Sequence, residues 1–201
     1  MVEIVNKIFK IIYLLLVVFV ILAIIFSRLD SNLLFFFGGL GNLFGQGSIV
    51  IYILTLLPGI EERLTSKKKF FSIIRIYRRQ LGIIMYLFAL MHFIFIKVIF
   101  AKNFGNLLAQ NIFEGMGSFA VFIFLLLFIT SNNLSVSRLR LYWYRIQRLT
   151  YIGMFFIFFH VALLGFSIWT VLMGLIIILE ILSFVAVYIK TGSLMVRNRV
   201  K

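Results

Sequence analysis

The chain has 201 residues, of which 63% are hydrophobic, and a mean hydropathy of +1.14. Soluble domains are closer to half apolar, so this composition excludes an ordinary water-soluble fold and predicts an integral membrane protein. There is no cysteine, which removes disulfides, iron–sulfur clusters and thiol chemistry. The net charge of +14 would suggest nucleic acid in a soluble protein, but here the basic residues sit between apolar runs, where they set orientation in a bilayer, and no nucleic-acid partner is expected.

Apolar runs predict six transmembrane helices, at residues 8–28, 46–63, 81–101, 115–131, 149–167 and 169–189. Residues 11–26 are apolar without a break, and no small-residue cleavage site follows them, so the first run reads as a span and not as a removed signal peptide. Pro58 is expected to end or kink the second helix. Three outer loops follow from this count. Residues 33–46 form a Gly- and Phe-rich interfacial segment, residues 102–114 a short polar stretch, and residues 165–169 a minimal turn. No GxGxxG or P-loop is present, so the chain has no flavin- or nicotinamide-binding domain of its own. No internal repeat is evident. The prediction is an all-α membrane protein, a single six-helix transmembrane bundle spanning residues 1–201.

Charge sorts cleanly onto this scheme. One side carries Lys7 and Lys10; then Arg63, Lys67, Lys68, Lys69, Arg75, Arg78 and Arg79; then Arg138, Arg140, Arg145 and Arg148; and finally Lys190, Arg197, Arg199 and Lys201, together 17 of the 20 Lys and Arg residues. The other side has Arg28, Lys97 and Lys102. Short loops rich in Lys and Arg stay in the cytoplasm, so both termini are expected there.

His92 and His160 are the only two histidines, and each lies deep in an apolar run. A neutral imidazole is the commonest protein ligand of metals and heme iron, and an ionisable residue inside a span is by default a functional hypothesis. The predicted third and fifth helices run the same way. At about 1.5 Å rise per residue, His92 lies ~21 Å beyond Arg78 and His160 ~20 Å beyond Gln147, which puts both in the outer half of a core ~30 Å thick. Two imidazoles at one level can bind both faces of a b-type heme, and the six-coordinate iron that results suits electron transfer rather than oxygen binding. A single buried histidine would more simply be a hydrogen-bonded packing residue; two at one depth on parallel helices favour ligation.

Other polar residues carry paired readings. Lys97 either contacts a heme propionate or snorkels to the interface, and Lys102 is read as snorkelling. Glu180, inside the sixth helix, either takes a proton from a quinol, neutralises Arg78 or Arg79, or forms a structural ion pair. Trp143, Tyr144 and Trp169 read as interfacial anchors. The basic loops set orientation and meet anionic lipid.

These residues also resemble a known family. Leu54-Thr55-Leu56-Leu57-Pro58, then Arg78-Arg79-Gln80-Leu81-Gly82, then Tyr86-Leu87-Phe88-Ala89-Leu90-Met91-His92, and later Thr130-Ser131 and Trp143-Tyr144-Arg145-Ile146-Gln147-Arg148-Leu149-Thr150-Tyr151 followed by His160 are similar to the ferric reductase-like transmembrane domain over about residues 47–165. Within it they most resemble the heme-binding MsrQ-type subunit of the bacterial periplasmic methionine sulfoxide reductase. The resemblance implies a six-helix b-type cytochrome of the bacterial inner membrane, with His92 and His160 as axial ligands and Arg78 at the inner level of the third helix. The family motif reads Trp-x-x-Leu-His, and Gln147 stands where that His belongs. An amide is a poor iron ligand, so one heme b is expected instead of two, with FMN or a quinone as candidates for the inner side.

The resulting expectation is an electron-transfer subunit of a two-component reductase. It takes electrons from quinol or a cytoplasmic flavin reductase and passes them through heme to an outer-side redox partner protein. Arg78, Gln147 and Glu180 are the inner cofactor- or quinone-side candidates, and Lys97 is the outer one. The alternatives are a non-redox scaffold or small transporter with packing or proton-relay histidines, and a self-contained reductase, which the lack of an outer carboxylate cluster disfavours.

Overall fold

With no water inside a bilayer, a spanning chain must pair every backbone N–H and C=O internally, and a helix does so within one segment. The computed structural model describes residues 2–27, 31–64, 71–98 and 111–191, and these are helical apart from short turns, with no strand among them. The helices are α1 (Val2–Ser27), α2 (Ser31–Leu64), the short α3 (Ser72–Ile76), α4 (Arg78–Phe93) continued by a π-helical turn (Ile94–Val98), α5 (Ile112–Ile129), α6 (Asn133–Leu139), α7 (Leu141–Gln147), α8 (Leu149–Leu164) and α9 (Ile168–Thr191).

Five stretches among the described residues are long and apolar enough to cross a membrane: Phe36–Leu64, Arg78–Lys97, Ile112–Ile129, Leu141–Leu164 and Ile168–Lys190. The helix α1 (Val2–Ser27) carries a further apolar stretch, Lys10–Phe19, among the described residues. The protein is therefore a multi-pass helical membrane protein. Lys102, Arg28, the Lys67, Lys68 and Lys69 cluster and the basic C-terminal residues lie outside the described residues.

One expectation about the second helix is corrected and another is narrowed. Residues 33–46 are not an interfacial loop; they form the first part of α2. Their glycines allow close packing, as small residues do between membrane helices. A Cβ at Gly41 would stand 3.0 Å from both the Phe95 and Ile96 side chains of the π-helical turn. Around that approach Phe37 and Phe95 are buried, with Leu40, Phe44 and Ile94 packed on them. Pro58 does not end α2, which runs on to Leu64.

The packing order follows from these contacts. α2 lies along α4 and also along α9; α5 lies along α8; α4 and α5 meet, as do α8 and α9. By contrast, α4 and α8 barely touch each other. The main core, with Tyr52, Leu56, Met85, Tyr86, Phe124, Met154 and Met173, extends from the start of α9, where Met173 lies, to the basic ends of α4 and α8. There Tyr52 Oη donates to the Thr150 carbonyl at 2.7 Å, tying α2 to α8. At that end Arg79 Nη1 donates to Asn133 Oδ1 at 2.6 Å and Gln147 Nε2 to Thr130 Oγ1 at 3.2 Å. The starts of α4 and α8 therefore both meet the end of α5, and α4 and α8 run in the same direction, as the sequence predicted.

A buried ionic network closes α2, α8 and α9 together. The Arg63 guanidinium pairs with Glu180, whose side chain is 2% exposed. Arg63 Nε also donates to Ser183 Oγ at 2.7 Å and Nη1 to Tyr151 Oη at 3.3 Å, and the guanidinium lies 4.2 Å from the Phe184 ring centroid. Glu180 is thus held by Arg63, and not directly by Arg78 or Arg79; Arg78 contributes only a more distant positive charge. Removing one partner of such a pair strands the other charge in the apolar interior. Glu180→Ala is therefore expected to lose about 3–5 kcal/mol of stability in detergent denaturation. The double replacement Arg63→Met/Glu180→Leu should lose less than Glu180→Ala alone, and an equal or greater loss in the double variant would show that the pair is not the source of the effect.

Candidate functional site

The contrast between the two helix pairs and the gap between α4 and α8 defines the site. His92 on α4 and His160 on α8 face each other across it, with ring centroids 6.3 Å apart and planes at 71°. Their helices barely touch, so the residues around the two rings enclose a cavity of about 540 Å³. That volume lies within the ~300–1,000 Å³ range of small-molecule and cofactor sites.

Each ring is held from behind by a neighbouring helix. A carbonyl oxygen can only accept, so the imidazole nitrogen beside it must carry the proton. His92 Nδ1–H donates to the Gly41 carbonyl of α2 at 2.8 Å, and His160 Nδ1–H donates to the Phe113 carbonyl of α5 at 2.7 Å. In the neutral ring this tautomer leaves the lone pair on Nε2. A backbone carbonyl on the second ring nitrogen is the usual support of a metal-ligating histidine. The arrangement can therefore offer two fixed nitrogen donors to one acceptor between them.

The cavity has a polar and an apolar part. Asn42, Gln46 and Ser48 from α2, Glu114 and Ser118 from α5, and Lys97 from the π-helical turn border it, as does Ser167 in the short turn before α9. Met85, Ala89, Val121, Phe124, Ile157 and Val161 make the apolar walls. At the polar rim Lys97 Nζ and Glu114 Oε2 form a 2.6 Å salt bridge between the π-helical turn and α5. The backbone N–H of Asn111 also donates to Glu114 Oε2 at 3.4 Å, which fixes the start of α5. Gly165, which also borders the cavity, adopts φ +139°, a conformation open to glycine and rare for other residues, and lets the chain turn sharply from α8 into α9.

The structure thus brings together His92, His160 and Lys97 from the sequence-predicted set. It does not bring Arg78, Gln147 and Glu180 to this cavity. Arg78 opens α4, Gln147 closes α7 against Thr130, and Glu180 belongs to the Arg63 network. Trp169, at the start of α9, also borders the cavity, and Trp143 Nε1 donates to the Thr130 carbonyl at 2.9 Å. Sequence reasoning missed Glu114 and Arg63 as partners and missed Gly41, Gly45, Phe113 and Gly117 behind the histidines. The spacing of Gly41 and Gly45, four residues apart as in small-residue helix interfaces, was the available signal.

Fold and site together define a multi-pass helical membrane protein with a central cavity between two opposed histidines. Residues 44–159, more than half of the chain, match the family model described as ferric reductase like transmembrane component, and the protein belongs to that family. No curated protein and no solved structure matches it. Membership supports membrane electron transfer as its general function.

The rim salt bridge is partly exposed, at 17% for Lys97 and 30% for Glu114. Such pairs contribute little. A double-mutant cycle with Lys97→Met and Glu114→Gln is expected to give a coupling energy of about 1 kcal/mol or less by thermal unfolding in detergent. A coupling of several kcal/mol would show that the rim is far more shielded from solvent than its exposure implies.

Proposed function

We propose that this protein is a membrane b-type cytochrome that carries electrons through one heme held between His92 and His160. The observation that carries this reading is the opposed pair of imidazoles with both Nδ1 atoms committed to carbonyls, in a chain of the ferric reductase-like family. An imidazole nitrogen stands about 2.0–2.1 Å from a first-row metal, so two rings sharing one ion from opposite sides have centroids roughly 6 Å apart. The 6.3 Å separation fits that requirement. Among the described residues no group of three or more His, Cys, Asp or Glu could hold a bare metal ion. Two imidazoles alone are an incomplete ligand set for such an ion, whereas a porphyrin brings four further nitrogens. Heme bound in this way supplies one-electron redox chemistry with no open coordination position.

The chain's own residues divide the remaining tasks. His92 and His160 hold the iron, and α2 and α5 orient them through the Gly41 and Phe113 carbonyls. The apolar walls exclude water. Lys97 at the rim is placed to meet a carboxylate of the bound cofactor, in exchange for or in addition to Glu114. A single heme is favoured by the other end of the bundle, where Tyr52 and Met154 are buried in the core and Gln147 bonds Thr130.

On this reading α1, α2, α4, α5, α8 and α9 are six spans with both termini in the cytoplasm of a bacterial inner membrane. The protein then serves as the electron-transfer subunit of a two-component reductase. Quinol or a cytoplasmic flavin reductase, with FMN as a further possible carrier, donates from the inner side to an outer-side acceptor protein, as in the MsrQ-type subunits that the sequence resembles.

The purified protein is expected to show a b-type absorbance spectrum with one heme per chain. His92→Ala and His160→Ala should each abolish the six-coordinate low-spin signal, because each removes one of two axial bonds. A normal low-spin spectrum in either variant would refute the assignment, a colourless wild type would favour a non-redox membrane protein, and two hemes per chain would refute the single-heme reading.

Orientation has a separate test. In intact cells Ser137→Cys, between α5 and α7, should resist an impermeant thiol label, whereas Asn111→Cys, at the start of α5, should react. The reverse pattern would invert the topology drawn from the 17-to-3 charge division.

A further inference from the structure

The two histidine supports are built alike, although they lie on unrelated stretches of sequence. His92 bonds the carbonyl of residue 41, and four residues later stands Gly45; His160 bonds the carbonyl of residue 113, and four residues later stands Gly117. A helical Cα–Cβ bond tilts toward the helix N-terminus, so the side chain at position i+4 covers the carbonyl at position i. That carbonyl already accepts the N–H of residue i+4, and its second lone pair is reachable only if nothing covers it. A Cβ built on Gly45 would stand 2.8 Å from His92 Nδ1, and one built on Gly117 would stand 2.8 Å from His160 Nδ1 and 2.9 Å from its Cε1. Contacts this short do not occur with real Cβ atoms. Something must shift, and the imidazole, a side chain held by one hydrogen bond, is the nearest group, so its bond to the carbonyl is the contact under threat.

We infer that Gly45 and Gly117 are positioning residues that uncover the Gly41 and Phe113 carbonyls so that each imidazole is locked as the Nδ1–H tautomer with Nε2 aimed into the cavity. This rests on the heme reading for its functional meaning, but the geometry belongs to the protein alone. The same device on α2 and on α5 places the two rings as an opposed pair. Loss of either would tilt one ligand while leaving the helices intact.

The test uses Gly45→Ala and Gly117→Ala in the full-length protein, with Gly39→Ala and Gly82→Ala as controls, since a Cβ at those two positions meets nothing within 4 Å. Each clamp variant should lower heme affinity on the order of 10–100-fold, the usual effect of removing a ligand's outer partner. It should also shift the midpoint potential and the low-spin electron paramagnetic resonance signal of the heme that remains, while the controls keep the wild-type values. Wild-type affinity, potential and spectrum in both clamp variants would overturn the inference. If a clamp variant does not accumulate, it is combined with alanine at its own histidine, Gly45→Ala with His92→Ala and Gly117→Ala with His160→Ala. Recovery of folded protein, judged by helical content and melting temperature, locates the clash at the imidazole and supports the inference; persistent misfolding in the absence of the ring overturns it. The same double-mutant comparison reads the clamp in protein without heme, so a colourless wild type would refute the heme assignment while the clamp is still decided by melting temperatures.

Discussion

An imidazole N–H placed in the hydrocarbon layer has no water to bond, and leaving it unpaired costs several kcal/mol. His92 and His160 meet this demand with backbone carbonyls of helices other than their own. That requirement draws α2 against α4 and α5 against α8, and it settles which nitrogen of each ring keeps its lone pair. Because the supports come from behind, α4 and α8 need not pack on each other. The central cavity is the space left between two helix pairs that are each tightly joined within themselves.

The two ends of the bundle solve the burial of polarity differently. Near the cavity rim, charge is partly exposed, and Lys97 with Glu114 bridges two elements at modest energetic value. At the basic ends of the helices, Glu180 is buried and Arg63 partly so, and their mutual attraction is supplemented by Ser183, Tyr151 and the face of Phe184. Such a pair is weak evidence for net stability but strongly resists loss of one member. It joins α2 to α9. The result is an open cavity between the histidines beside a closely packed core. The aromatic contact of Tyr52 with Phe124, 5.3 Å between centroids, joins that core to the cavity wall.

The glycines explain why the central packing is possible. At Gly153 a Cβ would meet the Phe124 ring at 2.7 Å, and at Gly41 one would meet the π-helical turn. In a membrane, where apolar side chains gain little by leaving lipid, helix association depends on such close approach and on interhelical hydrogen bonds. Gly45 and Gly117 add a second consequence, because the space they leave is occupied by an imidazole edge.

Much of this was legible in the chain itself. Membrane insertion, helix type and the approximate ends of α4, α5, α8 and α9 follow from the length and hydropathy of apolar runs, which are local properties. The choice of His92 and His160 followed from their being the only ionisable imidazoles at equal distances along two apolar runs, and the matched depth rests on the constant rise of a helix. Local pattern misjudged residues 33–46, because glycine and phenylalanine read as loop when the partner that makes them a helix, the Phe95 and Ile96 face, is 50 residues away. For Glu180 it offered an ion pair among other roles but could not name the partner, since separation along the sequence says nothing about which of several arginines a neighbouring helix brings near; packing of α2 on α9 chose Arg63. The sequence by itself determined that this protein spans a membrane in helices and carries two histidines at one level. Only the tertiary structure decided that their rings face each other at 6.3 Å and which carbonyls and glycines hold them there, because those depend on contacts between helices that no local pattern records.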